Sequence, residues 1–453
     1  MTQEPETHTE TPNKRRWLKW AVLTAILIGL FISLRLFLKS DLLFNYARNF
    51  AERQTGEILN GSLEIESIRG DLLNGFTVYG ARVADTQNET VAALDSATVQ
   101  YRLLDVIRSP HTVEQLSIYG LESFIKQNAD SVWNVMALLP ETDEKEEQQG
   151  AVYWVVNDLE IQGLNADIES EYLLPDGFLN IRNLTLSASG GVKESGYSTN
   201  IRSLEFQLEE ARLPDQIDFM MEARGDDNRF TLESLAVLTG QTMLRAESQY
   251  DINESLTASA GLSPLSRDDI AAYVENLPLQ HDLNIEVGAE GQLSNLSLSA
   301  NISGTGMEML NIEAVLNAEG SPSLNRFDVY MRNLDSPELT GVVQSPSIGE
   351  FQFSGEGSIP FENYQDSNFS GRINFTDLSY DKYQIDRFES EYDLIDDRTN
   401  FNATAVRDGE RINLEFAAEQ VWSEIPAWNG TVQTDSINLA TWLADPDLDS
   451  KMN

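Results

Sequence analysis

The chain has 453 residues, no cysteine, and 31 basic against 73 acidic side chains, a formal net charge of -42. That length accommodates about two to four ordinary domains, and without cysteine no disulfide or thiolate metal centre can brace them. A field of this sign repels nucleic-acid phosphates and anionic lipid surfaces, so the acidity of the body reads as a solvated surface and nucleic acid is excluded as a partner.

Residues 1–16 form a polar tail ending in Lys14, Arg15 and Arg16. A transmembrane helix is expected over 17–39. Its uncharged run from Trp20 to Leu34 reaches only about 22 Å as a helix, short of a hydrocarbon core of about 30 Å. Trp17, Leu18, Leu36, Phe37 and Leu38 lengthen the apolar stretch, while Lys19 and Arg35 can snorkel towards the headgroups. Trp17, Trp20, Leu34 and Arg35 are thus the expected anchor residues. A cleaved signal peptide is the rival reading. Against it, Leu36-Phe37-Leu38-Lys39 stands where a small-x-small cleavage site belongs. The basic cluster keeps the N-terminus in the cytoplasm, which exports the chain from about residue 40 onward.

An amphipathic helix is expected over 41–56. Leu42, Leu43, Tyr46, Ala47 and Phe50 recur at helical spacing, with Asp41 as N-cap and Gly56 as stop. This stripe is expected to cover the first strands rather than to bind lipid.

From residue 58 the apolar period changes to two, which puts apolar side chains on one face of a sheet and polar ones on the other. Leu184–Ala188, Leu296–Ile302, Phe351–Ser354, Ile373–Thr376 and Ile412–Phe416 all alternate in this way. Turns are expected at Gly61, Gly70, Gly75, Gly80, Pro175-Asp-Gly177, Ser189-Gly190-Gly191 and Asp408-Gly409. Short helical insertions are expected at Leu103–Arg108, Ser131–Leu139, Arg267–Asn276 and Ile437–Ala444. The predicted organisation is a first β region over 57–140, an acidic linker over 141–150, and a β-repeat region over 151–453. Loose internal echoes support repetition: Ala258–Val274 is answered by Gly430–Leu443, each a strand that ends in a short helix.

No catalytic constellation emerges, and the chain is not expected to be an enzyme or to hold a cofactor or metal. The histidines are His8, His111 and His281, and the neighbours His281 and Asp282 point to opposite faces of a strand. Asp445, Asp447 and Asp449 imitate the start of a calcium loop, but Ser450 stands where that loop needs glycine.

The stretch Gly61 to Asp85 (GSLEIESIRGDLLNGFTVYGARVAD) is followed by Val99-Gln-Tyr-Arg-Leu-Leu, Val113-Glu-Gln-Leu-Ser-Ile-Tyr-Gly-Leu and Ser131-Val-Trp-Asn-Val. That order, behind an anchor and a short helix, resembles the opening of the TamB and AsmA-like family over about residues 15–136. The resemblance implies a mainly β protein: an N-terminal transmembrane helix, then an elongated, quasi-repetitive, taco- or solenoid-like sheet with an apolar groove and short helical insertions. It implies a single-pass protein of the bacterial inner membrane with a periplasmic body. The implied role is phospholipid transport between inner and outer membranes, or outer-membrane protein assembly and secretion. Phospholipid acyl chains and the membrane are the implied partners. A BamA-type outer-membrane barrel is a further one if a C-terminal domain follows Asn453, because family members of the TamB type end in such a domain.

The alternating positions expected to line a groove are Leu296, Leu298, Ile302, Phe351, Phe353, Ile373, Phe375, Leu414 and Phe416. An uncovered apolar strip of this kind marks a binding surface, and an acyl chain gains about 0.8 kcal/mol per buried methylene on it. Alternation by itself favours a closed solenoid or sandwich core, the resemblance tips the expectation to the groove, and an anchored structural or adhesin-like β-rod without ligand is the alternative.

Overall fold

A computed structural model describes residues 28, 30, 32–33, 35–106, 108–127, 132–138, 153–170, 178–210, 215–253, 255–272, 274, 276–423, 426–435, 437–442 and 451–452. Trp17, Trp20, Leu34, the linker 141–150, Pro175–Gly177 and the acidic run at 445–450 lie outside these residues, while Arg35 is helical and exposed. Among the described residues no helix is long and apolar enough to cross a membrane. The protein is mainly β: hydrogen bonds join 22 strands in one sheet, with two short strands in a second. Two compact units divide the chain, Met1–Ala166 and Asp167–Asn453.

In the first unit, helix α1 (Asp41–Ile58) precedes strands β1 (Gly61–Asp71), β2 (Gly75–Asp85), β3 (Thr90–Gln100) and, after the short β4 (His111–Val113), β5 (Gln115–Lys126). β1, β2, β3 and β5 pair antiparallel in that order. β4 instead pairs in parallel with the start of β6 (Trp154–Glu169), where the His111 ring lies 4.8 Å from that of Trp154. The cap of α1 is Ser40, one residue before the expected Asp41, and the helix runs through Gly56 rather than stopping there.

The face of α1 that meets the sheet also differs from expectation. Phe44, 3 % exposed, is its buried anchor, while Leu42, Tyr46 and Phe50 point to solvent. The reason lies in backbone hydrogen bonding. β1 is an edge strand, and its free amide and carbonyl groups need partners. Glu52 accepts from the Ile65 amide at 3.0 Å and Arg48 donates to the Glu66 carbonyl at 3.0 Å. These two polar contacts fix the rotation of the helix and turn the Leu42 stripe outward.

The second unit is a meander. Its first eight complete strands are β7 (Leu179–Lys193), β8 (Gly196–Glu210), β9 (Ile217–Asp226), β10 (Arg229–Thr239), β11 (Thr242–Asp251), β12 (Ser255–Leu265), β13 (Leu283–Gln292) and β14 (Asn295–Gly304). They are followed by β15 (Met307–Asn317), β16 (Ser323–Asp335), β17 (Ser347–Pro360), β18 (Asn368–Tyr380), β19 (Tyr383–Ile395), β20 (Arg398–Arg407), β21 (Glu410–Glu419) and β22 (Ala427–Asp435). Each is antiparallel to the next. Asp408 and Gly409 both take positive φ, 51° and 82°, and close β20–β21 as the expected two-residue turn. Ser189-Gly190-Gly191, expected as a turn, instead lies within β7, because the chain continues paired with β8 as far as Lys193.

Several of the helical insertions share one logic and fold back over the hairpin just before them, whereas the helix Asn134–Ala137 sits against the end of β5 and Asn60. The helix Arg267–Ala271, after β12, covers the β10–β11 turn, where Asp269 accepts from the amides of Gln241 (2.9 Å) and Thr242 (2.7 Å) and from the Thr242 hydroxyl (2.6 Å). The helix Ser336–Thr340, after β16, rests on the β14–β15 turn, with the Asp335 amide donating to the Gly306 carbonyl at 2.7 Å. The helix Leu439–Trp442, after β22, reaches the β20–β21 turn, where Glu410 accepts from the Asn438 amide and the Trp442 indole, both at 2.9 Å. In the first unit Tyr101, just before the helix Leu103–Val106, donates from its hydroxyl to the Leu72 carbonyl in the β1–β2 turn at 2.8 Å. This recurrent latch is what the loose echoes between Ala258–Val274 and Gly430–Leu443 encode. The Ser336–Thr340 helix was missed by the alternation reading. It carries its own signals in Asp335 as N-cap, Pro337 in the first turn and Gly341 in the left-handed conformation after it.

Asp269 gathers three donors at one latch, and charged hydrogen bonds of this kind contribute about 1.5–3 kcal/mol each when a partner is removed. Asp269→Ala is expected to lower the thermal midpoint by several degrees and Asp269→Asn by less, measured by circular dichroism on both variants. Equal midpoints for all three proteins would show that the latch carries no stability.

Candidate functional site

Register decides where the nine nominated side chains stand. Cross-strand partners in an antiparallel pair share a face, so a chain of partners can be followed across the second unit. Leu298 pairs with Ala289 and Ala314; Ala314 with Phe327; Phe327 with Gly355; Gly355 with Gly371; Gly371 with Tyr392; Tyr392 with Phe401; and Phe401 with Phe416. Phe351 pairs with Phe375, Phe353 with Ile373, and Leu414 with Ala403. Leu296 and Ile302 share the face of Leu298 on β14. All nine therefore lie on one side of the sheet. The opposite side carries Glu286, Ser299, Glu313, Asp328, Gln352, Arg372, Glu389, Glu391 and Glu415, so the acidity is segregated to that polar face.

Among the described residues no second layer buries the apolar side. Of the nine, Leu296 is buried, Phe416 is exposed and the rest are half-buried. Val287 and Val432, on the same face, are exposed. Among the described residues half of the buried hydrophobic side chains are alanines, as fits a sheet shielded mainly by its own neighbouring side chains.

The face has two textures. Across β11 to β15 it is lined by small side chains: Ala246, Ala258, Ala260, Ala289, Ala300 and Ala314 line a hollow of about 550 Å³, with Leu232, Leu298 and Ile312 standing around them. Across β16 to β20 it is aromatic. The Phe327 ring lies 4.5 Å from Phe353 and 5.3 Å from Phe369, and Phe375 stacks on Phe388 at 4.7 Å. Gly355 and Gly371 make room for these rings: a Cβ at Gly355 would strike the Phe369 ring, and one at Gly371 the Ser354 carbonyl and the Tyr392 hydroxyl. Tyr392 closes the cluster, its ring 5.9 Å from Phe353 and its hydroxyl donating to the Ser354 carbonyl at 3.3 Å. Burial pushes its phenol up to about 12.

Phe327, Phe369, Phe388, Tyr392 and the alanines were not among the nominated residues. The alanines alternate with serine, as in Ala258-Ser-Ala260, and that low contrast hides a period which is nonetheless present. His281 and Asp282 form no dyad: the Asp282 carboxylate accepts from the Arg267 amide at 2.8 Å. Among the described residues no three His, Asp or Glu side chains converge on a point that could hold a metal ion.

A phenol held up by burial favours its neutral form in the fold. Its contribution to stability is complete below the free-tyrosine value near 10 and is lost as pH rises from there through about 12. Tyr392→Phe is therefore expected to melt close to the parent at pH 8 but to lose less of its midpoint than the parent between pH 10 and 12. Parallel loss in both proteins would place the Tyr392 hydroxyl in water. Comparisons with protein-family models, with curated proteins and with solved structures return no match.

Proposed function

We propose that this chain is an inner-membrane-anchored periplasmic protein of TamB and AsmA type that carries phospholipid acyl chains along an elongated, taco-like apolar groove. The observation that carries the reading is the continuous, uncovered apolar face with its alanine-lined hollow. An acyl chain is slim, unbranched and without hydrogen-bonding groups. A floor of methyl groups between taller leucine and isoleucine side chains accommodates it without any polar contact, and each buried methylene contributes about 0.8 kcal/mol. The sequence of the first strands supports the family, and the apolar run Trp20–Leu34 behind basic residues supports the anchor. Where its residues are described, this run is helical, with Ile28, Leu30 and Ile32 open to solvent.

Leu298→Glu separates a lipid path from a closed core. On an open face the carboxylate reaches solvent, so the cost stays below the several kcal/mol of an unpaired buried charge. The variant is expected to melt within a few degrees of the parent yet to lose photocrosslinking to phospholipid from a benzophenone residue at Ala300. A variant that melts far earlier, from a parent that never crosslinks lipid, would end the conduit reading and favour the plain β-rod.

The anchor has its own test. A reporter active only in the periplasm, fused after residue 60, is expected to work, and the protein to stay in the membrane pellet after carbonate washing. A soluble product beginning near residue 40 would mean a cleaved leader instead.

A further inference from the structure

We propose that the outward face of α1 is a second membrane contact, lying flat in the headgroup region of the leaflet that the apolar run Trp20–Leu34 leaves. The inference rests on the anchor reading for its location, but the observations behind it are separate.

The helix has two apolar faces, and the fold uses only one. Phe44, Ala47 and Ala51 face β1, and Arg48 and Glu52 hold that orientation through their contacts with the strand backbone. On the other side Leu42 is 79 %, Tyr46 63 % and Phe50 50 % exposed, and the last two rings stack at 6.5 Å. At about 100° per residue these three side chains and Arg53 fall within one sector about 80° wide. Leucine, tyrosine, phenylalanine and a long cationic side chain on one helical face is the composition that settles at a membrane boundary: the rings and Leu42 enter the acyl region while the tyrosine hydroxyl and the guanidinium stay among the headgroups.

Charge selects the occupant. The chain as a whole carries -42, yet residues 35–53, which follow the apolar run, hold four basic side chains (Arg35, Lys39, Arg48 and Arg53) and two acidic ones. Of those two acids, Glu52 is engaged with the Ile65 amide, and Asp41 lies off the exposed stripe. The stretch that leaves the apolar run is therefore net basic, with Arg53 on the exposed stripe itself, which suits a bilayer containing anionic phospholipid. A second copy of a chain this acidic would bring like-charged bodies together.

Placement agrees with charge. Six residues separate Leu34 from Asp41, and within them Lys39 pairs with Asp71 at 3.3 Å, at the end of β1. Burial acts to raise the Asp71 carboxyl, but the Leu73 amide and the Lys39 ammonium together hold it below its ordinary value. The exit from the apolar run is thereby tied to the edge of the sheet, next to the start of α1.

The absence of cysteine makes the test direct. Tyr46→Cys, Phe50→Cys and, as a reference on the polar face of the sheet, Glu286→Cys are spin-labelled in the full chain and reconstituted into vesicles of phosphatidylethanolamine and phosphatidylglycerol. Relaxation by oxygen is expected to exceed relaxation by a water-soluble nickel complex at 46 and 50, with the reverse at 286. Carbonate extraction of the same samples reports the anchor separately. Labels at 46 and 50 that face water while the protein resists carbonate would overturn this contact and leave the anchor standing. Labels at the boundary in a protein that carbonate releases would uphold the contact and remove the anchor. Dipolar broadening between labels on two copies would overturn the contact in favour of a dimer.

Discussion

Everything on the apolar face depends on strand register. Side chains alternate with a period of two, so a slip of one residue in any pairing would send that strand's apolar set to the polar side. The irregularities in the meander preserve this order. Leu232 and Leu235 are an odd number of residues apart on β10, yet their partners Ser248 and Ala246 on β11 are two apart, and the bulge between them keeps both leucines on one face. The same device brings Leu262 and Leu265 of β12 opposite Ile285 and Leu283 of β13. A strict alternation rule would break at both places. The bulges absorb the extra residue and the face continues.

Polar contacts act where alternation has no say. The edge of β1 would stand open to pairing with another chain if Arg48 and Glu52 did not occupy its backbone groups. The segregation of carboxylates to the polar face has a related effect. Like charges along that surface discourage the polar face of one sheet from stacking on that of another.

How much of this was legible in the sequence differs from element to element. The strands around Leu298, Phe353, Phe375 and Leu414 were visible because leucine and phenylalanine alternate there with serine, asparagine and threonine, and the contrast survives in one dimension. The Ala–Ser strands have the same period with little contrast. The rings over Gly355 and Gly371 depend on partners from other strands, which no local window contains. α1 was recognised as a helix, but its inner face was assigned to the larger side chains. Volume favours Leu42, Tyr46 and Phe50; backbone groups on β1 select Phe44, Arg48 and Glu52 instead. Satisfying the strand's hydrogen bonds outweighed burying the bigger residues.

The latches carry a consequence for how such a sheet can change length. In the second unit the three α-helical insertions follow β12, β16 and β22, all even-numbered strands, and each covers a turn that also follows an even-numbered strand. The turns that these three helices clasp therefore fall along the same edge. Adding or removing a hairpin leaves that edge unchanged, because the direction of every later strand is kept. Adding a single strand would reverse the later strands and carry their latches to the opposite edge, away from the turns they clasp. Relatives of this chain that differ in length should then differ by even numbers of strands, a parity rule set by the turns rather than by the apolar face.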